Sequence, residues 1–402
     1  MKILMLVPYL PNTATSGGQT RWYNIIKYLS KEHEITLFSL IKDEGEEKFI
    51  PELKKYCKKV MVFERPKKPW TIRNIFLSVF GPYPLLVIRN LSLAERRAVK
   101  AELSNEKYDL IHAETFYVMP HLTKTKVPTI LVEQTIWHDV YKHHVDTKVH
   151  PLLRPFYFYD VVKVKYWEKH YWTKASKLVA VSQEDRLEML KLIPGVAVDI
   201  IPNGVDTKYY SLKSYTKLSP PRVLYGVTNF EWLQNLEASE ILLNSVWPMV
   251  NKSVAEAKVW IVGRKIPEWI KKLAKKDKSV EVTENIPDAR DAYGEAAIMV
   301  APIKGAGGTR LKILEAMAAG LPVVSSSIGV AGLHISHGKE ALIADTSEDL
   351  AKAAIKLLKD PKLAQEIGLR GQRHVREYFD WQEVVKLHDP IYKEVVGGKE
   401  NA

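Results

Sequence analysis

The stretch AIMVAPIKGAGGTRLKILEAMAAGLPVVSSSIGVAG, residues 297–332, decides the fold of this chain. Its apolar start, residues 297–301, predicts a buried strand of a parallel sheet. A helix pattern follows over residues 309–319, and Gly320 stands where a helix ends in a left-handed residue. The loop between strand and helix carries three glycines: Gly305, Gly307 and Gly308. Because unpaired N–H groups and the dipole at a helix N-terminus favour negative charge, the stretch predicts an α/β fold with an anion-binding loop.

Two cations, Arg310 and Lys312, fall in the first turn of this helix. There they oppose the helix dipole, at a cost of about 0.3–1 kcal/mol each. A bound diphosphate would reverse the sign of that contribution. The alternative is a solvated helix end, in which Lys312 forms a weak pair with Glu315 three residues later. These residues by themselves leave both interpretations open.

The segment GGTRLKILEAMAAGLPVVSS, residues 307–326, followed by GVAGL at 329–333, resembles the donor-site signature of retaining glycosyltransferases of the GT-B fold, family 4. The resemblance implies two doubly wound, Rossmann-like α/β domains that face a central cleft. It also implies that Glu315 binds the ribose hydroxyls of a nucleotide sugar. The first glutamate of the family motif would fall at Gly307, and a subset of the family carries a similar glycine-rich version that contains arginine.

Other expected donor contacts lie in loops that follow strands. Many relatives carry an Arg and a Lys after the first strand of the second half, where this chain has Asn229. Arg264, Arg310 and Lys312 are therefore left to meet the diphosphate, and Arg310 is the expected main partner because guanidinium bonds phosphate through two parallel N–H groups. The full expected nucleotide-sugar site comprises Gly17, Gly18, Asn229, Arg264, Gly308, Arg310, Lys312 and Glu315.

No catalytic base and no metal ligand can be named from the sequence. A family histidine near the donor sugar aligns with Gln134, and His138 follows four residues later. The chain contains no Asp-x-Asp pair that could hold a metal on a diphosphate. We therefore expect no metal and no cofactor, with the nucleotide sugar acting as a substrate.

Strands and helices alternate through both halves of the chain, which is typical of parallel, doubly wound sheets. We expect an N-terminal, acceptor-side domain over residues 1–206 and a nucleotide-sugar-binding domain over residues 207–378. The C-terminal helix, within 379–402, is expected to pack back on the first domain. Residues 208–222 are polar, contain two prolines and predict a linker.

Composition limits the possible classes of function. The 402 residues carry a net charge of +12, with a pI of about 9.3, and contain one cysteine, Cys57. A single cysteine excludes an internal disulfide framework and favours the cytoplasm. The basic excess could serve nucleic acid, anionic lipid or phosphorylated substrates. No nucleic-acid motif accompanies it, so we expect no nucleic-acid partner.

The most apolar segment, residues 76–88, is 13 residues long, whereas a membrane span needs about 20. The basic and aromatic region around it, residues 66–100, has two interpretations. The favoured one is a packed helix pair with solvated arginines. The other is an acceptor site or a surface for peripheral contact with an anionic membrane.

The leading functional prediction is a glycosyltransferase that moves a sugar from a UDP- or GDP-type donor to a hydroxyl of a glycan or lipid-linked acceptor. Retention is implied by the resemblance. The leaving diphosphate would be stabilised by a helix N-terminus and cations. The alternatives are a GT-B relative such as a sugar-nucleotide epimerase, or a non-catalytic nucleotide-sugar-binding subunit.

Overall fold

The structure is a computed structural model that describes residues 1–13, 16–66, 68, 70–211, 219–305 and 311–398. It divides into two compact units. The first unit consists of Met1–Pro202 together with Val384–Ala402, and the second unit consists of Asn203–Glu383.

Parallel strands form the sheet of the first unit, and the described ones follow the order β3-β2-β1-β4-β5-β6-β7. Their bounds are β1 Lys2–Val7, β2 Glu34–Ile41, β3 Lys59–Glu64, β4 Leu110–Glu114, β5 Thr129–Glu133, β6 Lys177–Ala180 and β7 Val198–Ile200. The order steps outward from β1 in both directions, as in a doubly wound sheet.

Helices connect these strands. Their bounds are α1 Gly17–Leu29, α2 Ile50–Leu53, α3 Ile72–Phe80, α4 Leu85–Ile88, α5 Leu93–Asn105, α6 Trp137–Lys148, α7 Arg154–Trp172 and α8 Gln183–Leu192. Short 3₁₀ turns lie at Glu44–Phe49, Phe116–His121 and Pro151–Leu153.

The second unit repeats this architecture, with a parallel sheet whose described strands follow the order β10-β9-β8-β11-β12-β13. The strands are β8 Arg222–Asn229, β9 Lys258–Arg264, β10 Val280–Glu284, β11 Ile298–Ala301, β12 Val323–Ser325 and β13 Leu342–Ile343. Its helices are α9 Thr207–Tyr210, α10 Leu233–Ile241, α11 Trp247–Ser253, α12 Glu268–Lys276, α13 Ala289–Glu295, α14 Leu311–Ala318, α15 Ser347–Lys359 and α16 Pro361–Tyr378. A π-helical turn, Leu242–Val246, joins α10 to α11.

Two helices complete the chain, α17 Trp381–Lys386 and α18 His388–Gly397. The last one lies in the first unit. The α/β fold with two Rossmann-like sheets is thereby confirmed.

Each sheet is the centre of an apolar core. In β1, residues Ile3 to Val7 are buried on both faces, which is why this strand is a continuous apolar run. In the second unit, β11 is equally buried, and the apolar side chains of α14 pack on the same core. Gly320 follows α14 with φ +76°, so the predicted left-handed helix end is confirmed.

The boundary between the units lies at Pro202/Asn203, four residues before the predicted one. The reason is a backbone bridge between Val205 and Asp380, which ties the connecting segment to the second unit. The predicted linker, 208–222, overlaps α9, so its first residues are helical.

For α3, the favoured interpretation of residues 66–100 is wrong about the packing, although its arginine, Arg73, is exposed as expected. The apolar side chains of this helix are exposed, and its polar residues Asn74 and Ser78 are the buried ones. Among the described residues, no helix combines the length and the apolar character that crossing a membrane requires.

Candidate functional site

The candidate site in the second unit lies at the carboxyl ends of β8 and β9. Asn229, the last residue of β8, pairs in register with Arg264, the last residue of β9. The side-chain amide of Asn229 closes its own turn: Oδ1 accepts the N–H of Glu231 at 3.0 Å, and Nδ2 donates to the Glu231 carboxylate at 3.0 Å. The Arg264 side chain is exposed at the same edge of the sheet.

Glycine allows β8 and β9 to approach closely just before these ends. A Cβ added at Gly263 would lie 2.1 Å from the carbonyl oxygen of Thr228, and one added at Gly226 would lie 2.2 Å from that of Val262. Neither position has room for a side chain. Beyond this close approach, Asn229 and Arg264 lie opposite each other on the two strands.

Lys312 connects α14 to the end of β8. Its Nζ donates to Asn235 Oδ1 and lies 3.3 Å from the hydroxyl of Tyr225 and 4.8 Å from the centroid of the Tyr225 ring. Asn235 in turn donates from Nδ2 to the carbonyl oxygen of Asn229 at 2.8 Å. Lys312 and Asn229 therefore belong to one hydrogen-bonded group.

Glu315 lies one helical turn after Lys312, on the same face of α14. Its Oε2 accepts the hydroxyl of the buried Tyr293 at 2.8 Å, and Tyr210 donates a second hydrogen bond to the carboxylate. Burial raises the pKa of Glu315, whereas the two tyrosine hydrogen bonds and the charge of Lys312 act to lower it. The result is a half-buried glutamate whose carboxylate has a fixed orientation.

The structure thus brings Asn229, Arg264, Lys312 and Glu315 to one edge of one sheet. A fixed carboxylate beside cations suits a ligand that offers hydroxyl groups at one end and phosphates at the other. The predicted Gly308 and Arg310 lie outside the described residues.

Gly17 and Gly18 belong to the first unit, where they open α1. Ser16 caps this helix by accepting the N–H of Gln19. A Cβ added at Gly18 would lie 3.2 Å from Gln134 Oε1, so glycine lets the chain pass close to this amide.

Gln134 is half-buried and belongs to a hydrogen-bonded group of side chains whose other members are buried. It donates from Nε2 to Glu114 Oε2 at 3.1 Å, and the other oxygen of Glu114 accepts His112 Nε2 at 3.0 Å. Burial opposes ionisation of Glu114, but the hydrogen bonds from His112 and Gln134 and the charge of Arg21 hold its pKa below the usual range. Glu114 is therefore a buried carboxylate that stays ionised.

Sequence reasoning missed four residues of the second-unit site. They are the partners of Lys312 and Glu315: Tyr210, Tyr225, Asn235 and Tyr293. Tyr210 lies in the segment that the sequence predicted as linker. The others lie in regular elements. The sequence around such a tyrosine or asparagine does not reveal a partner that is distant in the chain.

Within the described ranges, no group of three His, Cys, Asp or Glu side chains is placed to hold a metal ion.

Family models match both units. Residues 15–209 match Glycosyltransferase Family 4, and residues 221–360 match Glycosyl transferases group 1. The chain belongs to this family of GT-B glycosyltransferases, and it is a transferase enzyme.

Individual proteins are similar to the chain over nearly its whole length. The chain is 26% identical to an "Uncharacterized 44.6 kDa protein in cps region" of Klebsiella pneumoniae, over 98% of this chain and 99% of that one. Among solved structures, it resembles sucrose-phosphate synthase of Thermosynechococcus elongatus at a TM-score of 0.73 and 18% identity, covering 99% of both chains. It also resembles Anabaena HepE in complex with UDP-glucose, at a TM-score of 0.66 and 17% identity, over 98% of this chain and 100% of that one.

Proposed function

We propose that the chain transfers a sugar from a nucleotide diphosphate sugar to a hydroxyl acceptor, with retention at the anomeric carbon and without a metal ion. The observation that carries the proposal is the pair formed by Glu315 and Lys312. Glu315 is oriented by two tyrosines, and Lys312 lies one turn before it at the start of α14. The carboxylate would accept hydrogen bonds from the ribose hydroxyls, and the ammonium would lie toward the diphosphate.

The diphosphate would be held by cations and backbone N–H groups. Arg264 and Lys312 lie at the same edge of the second unit. The sequence adds Arg310 and the glycine loop at Gly308, which precede α14 directly. These groups stabilise negative charge that grows on the leaving diphosphate in the transition state, and this electrostatic contribution needs no metal.

The donor is proposed to be of the UDP or GDP type. The Anabaena relative binds UDP-glucose, which supports a uridine nucleotide, whereas GDP remains the alternative. Gly17 and Gly18 are proposed to let the backbone of the first unit approach the donor phosphates. Gln134, which lies against Gly18, would then border the donor sugar.

The acceptor is proposed to be a glycan or a lipid-linked precursor of a polysaccharide. The Klebsiella relative is described as a protein of a cps region, which supports polysaccharide synthesis. The reaction would take place in the cytoplasm or at the inner face of its membrane.

The test is donor turnover. Purified protein is incubated with UDP- and GDP-sugars, with and without a lipid-linked or glycan acceptor, and release of free nucleotide is measured. We expect release that depends on acceptor, survives EDTA, and yields a product whose anomeric configuration by NMR matches that of the donor. Activity that EDTA abolishes and magnesium or manganese restores would contradict the metal-free mechanism.

The same assay separates the alternatives. Conversion of the donor into an epimer without nucleotide release would identify an epimerase. Donor binding without any turnover would identify a binding subunit. Absence of binding to every nucleotide sugar would overturn the proposed site.

A further inference from the structure

A set of large apolar side chains is exposed on α3 and α7 of the first unit and on the residues just before each helix; we call it the α3–α7 surface. Ile72 is 89% exposed, Phe80 75% and Phe156 73%. The other exposed members are Trp70, Ile75, Phe76, Leu77, Val79, Leu152, Leu153, Tyr159, Val162 and Tyr166. An exposed apolar area of this extent is uncommon on a soluble surface and marks a site of interaction.

Helix α3 buries its polar side and exposes its apolar side, the reverse of an ordinary surface helix. Its polar residues Asn74 and Ser78, four positions apart, face the protein and are buried. Phe76 and Phe80, also four apart, lie on the opposite side and face outward. A helix in water normally turns its apolar side to the core. This one has the arrangement expected where the outer medium is itself apolar.

Polar contacts fix α3 in this orientation. The Ser78 hydroxyl donates to Asp160 Oδ1 of α7 at 2.7 Å, and the same carboxylate accepts the N–H of Leu85 at 3.0 Å. Lys163 Nζ donates to the carbonyl oxygens of Ser78 and Gly81, which lie at the end of α3. The outward apolar residues are therefore held outward by buried hydrogen bonds.

Helix α7 extends the surface. Phe156, Tyr159, Val162 and Tyr166 recur at intervals of three and four residues, so they share one face, and all are exposed. Tyr159 also reaches α3, where its hydroxyl lies 3.5 Å from the carbonyl oxygen of Val79. The two helices present one joint surface.

Within residues 65–94 and α7, the exposed charges are of one sign. Residues 65–94 contain five Lys or Arg and no Asp or Glu. In α7 the acidic residues Asp160 and Glu168 are buried, whereas Lys165 is exposed beside Val162. Arg73 is exposed three positions before Phe76. An apolar face with a basic border matches the interface of a membrane that contains anionic lipid.

We propose that the α3–α7 surface docks the protein on an anionic membrane, with the aromatic and aliphatic side chains inserted at the level of the headgroups. A second copy of the chain is a poorer occupant, because two basic borders would repel each other. The inference deepens the proposed function by placing the transferase where a lipid-linked acceptor lies. The binding itself requires no transfer activity.

The test is flotation of the full chain with vesicles. Wild-type protein should float with vesicles of phosphatidylcholine and phosphatidylglycerol, bind phosphatidylcholine alone less well, and be released by high salt. The double variant Phe76→Asp/Phe80→Asp should lose binding by about tenfold or more, since burial of each phenylalanine contributes to partitioning. Lys165→Gln, which removes one positive charge, should weaken binding to anionic vesicles by about fivefold.

Leu369→Asp is the matched control, because this leucine is 49% exposed on α16 of the second unit. It should bind vesicles as wild type does. All variants should keep the wild-type circular dichroism and nucleotide affinity, which separates failure of docking from failure of the proposed function. Equal flotation of wild type and the double variant would overturn the proposal. So would a wild-type dimer by light scattering that the double variant converts to a monomer without any vesicle binding.

Discussion

Glu315 is the residue on which the proposed donor site depends. A carboxylate accepts two ribose hydroxyls, whereas an amide keeps one accepting oxygen and loses the charge. We expect Glu315→Gln to weaken UDP or GDP binding by about 1.5–3 kcal/mol without changing the fold. Calorimetry on the variant measures this, with Glu366→Gln on the exposed face of α16 as the control. Unchanged nucleotide affinity in Glu315→Gln would remove Glu315 from the site.

Tyr293 allows the same idea to be tested through pH. Its hydroxyl donates to the carboxylate of Glu315 and so acts to lower the pKa of that group, against the larger effect of burial, which raises it. Tyr293→Phe should raise the pKa of Glu315 further. Nucleotide binding should then fall off at a higher pH than in wild type as the solution is acidified.

The measurement is nucleotide affinity between pH 5 and 8 for wild type, Tyr293→Phe and the exposed control Tyr378→Phe. Superimposable pH profiles of wild type and Tyr293→Phe would mean that ionisation of Glu315 does not control binding.

A second buried carboxyl group, Glu95, affects stability rather than the site. Its Oε2 lies 3.3 Å from His121 Nε2, but that nitrogen already accepts the N–H of Ser92 at 2.9 Å. Oε2 has no hydrogen-bond donor among the described residues. Burial therefore raises the pKa of Glu95 to about 8 and lowers that of His121 to about 4. Both groups are neutral near pH 7.

The free energy of unfolding should accordingly fall as pH rises past neutrality. Glu95, whose pKa is raised by folding, loses its contribution between its ordinary value of 4.5 and about 8. His121, whose pKa is lowered, adds stability between about 4 and 6.5 and so offsets that loss only up to pH 6.5. Between pH 6.5 and 8 we expect a net loss of about 2 kcal/mol.

Glu95→Gln removes the titrating group and should flatten this part of the profile. Urea denaturation at pH 6.5 and 8 compares the two proteins. If the variant loses as much stability over this range as wild type does, the fall has another origin.

At the scale of elements, the contact between β8 and β9 is the most sterically restricted feature near the site. An alanine Cβ at Gly263 would overlap the Thr228 carbonyl oxygen, a backbone atom that cannot move alone. Gly263→Ala should therefore destabilise the second unit by about 1–3 kcal/mol. Thermal denaturation measures this loss.

Gly397→Ala, where an added Cβ has open space in the last turn of α18, is the control and should be neutral or slightly stabilising. A wild-type melting temperature for Gly263→Ala would show that the two strands are not in close contact.

The sequence predicted the alternation of elements well because parallel strands buried on both faces are continuous apolar runs. The run at 297–301 became β11, Ile298–Ala301, and the glycine at 320 took the left-handed conformation that ends α14. The sequence also located Lys312 and Glu315 on that helix. Local patterns sufficed for these features, since each depends on neighbours along the chain.

Features that depend on distant partners were missed. Tyr210 reaches Glu315 from a segment that is polar in sequence and was therefore predicted as linker. The orientation of α3 was predicted wrongly, because a pattern of apolar residues shows that a helix has an apolar side but not which medium that side faces. The buried Ser78–Asp160 hydrogen bond, which decides the orientation, joins residues 82 positions apart.

At the scale of the whole molecule, the C-terminal helix α18 belongs to the same unit as the N-terminal residues. Tyr392 of α18 is fully buried in the first unit, where its hydroxyl donates to His112 Nδ1 at 2.6 Å. His112 then donates from Nε2 to Glu114, the ionised carboxylate behind Gln134. Lys177 of β6 bonds Glu394 at 2.8 Å, so the C-terminal helix is also tied to a second strand of the sheet. The first unit therefore requires residues from both ends of the chain.

We expect Tyr392→Ala to destabilise the first unit by about 3–5 kcal/mol, since it removes a buried aromatic ring and leaves Nδ1 of His112 without its partner. Hydrogen exchange measured along the chain tests this, because loss of protection should appear in β1 and β4 while β8 and β11 keep theirs. Tyr392→Phe, which retains the ring, should cost only about 1 kcal/mol. Tyr378→Ala, at an exposed tyrosine that ends α16, should leave exchange in both units unchanged. Equal loss of protection in both units of Tyr392→Ala would show that they unfold together, and the C-terminal helix could then not be regarded as part of the first unit alone.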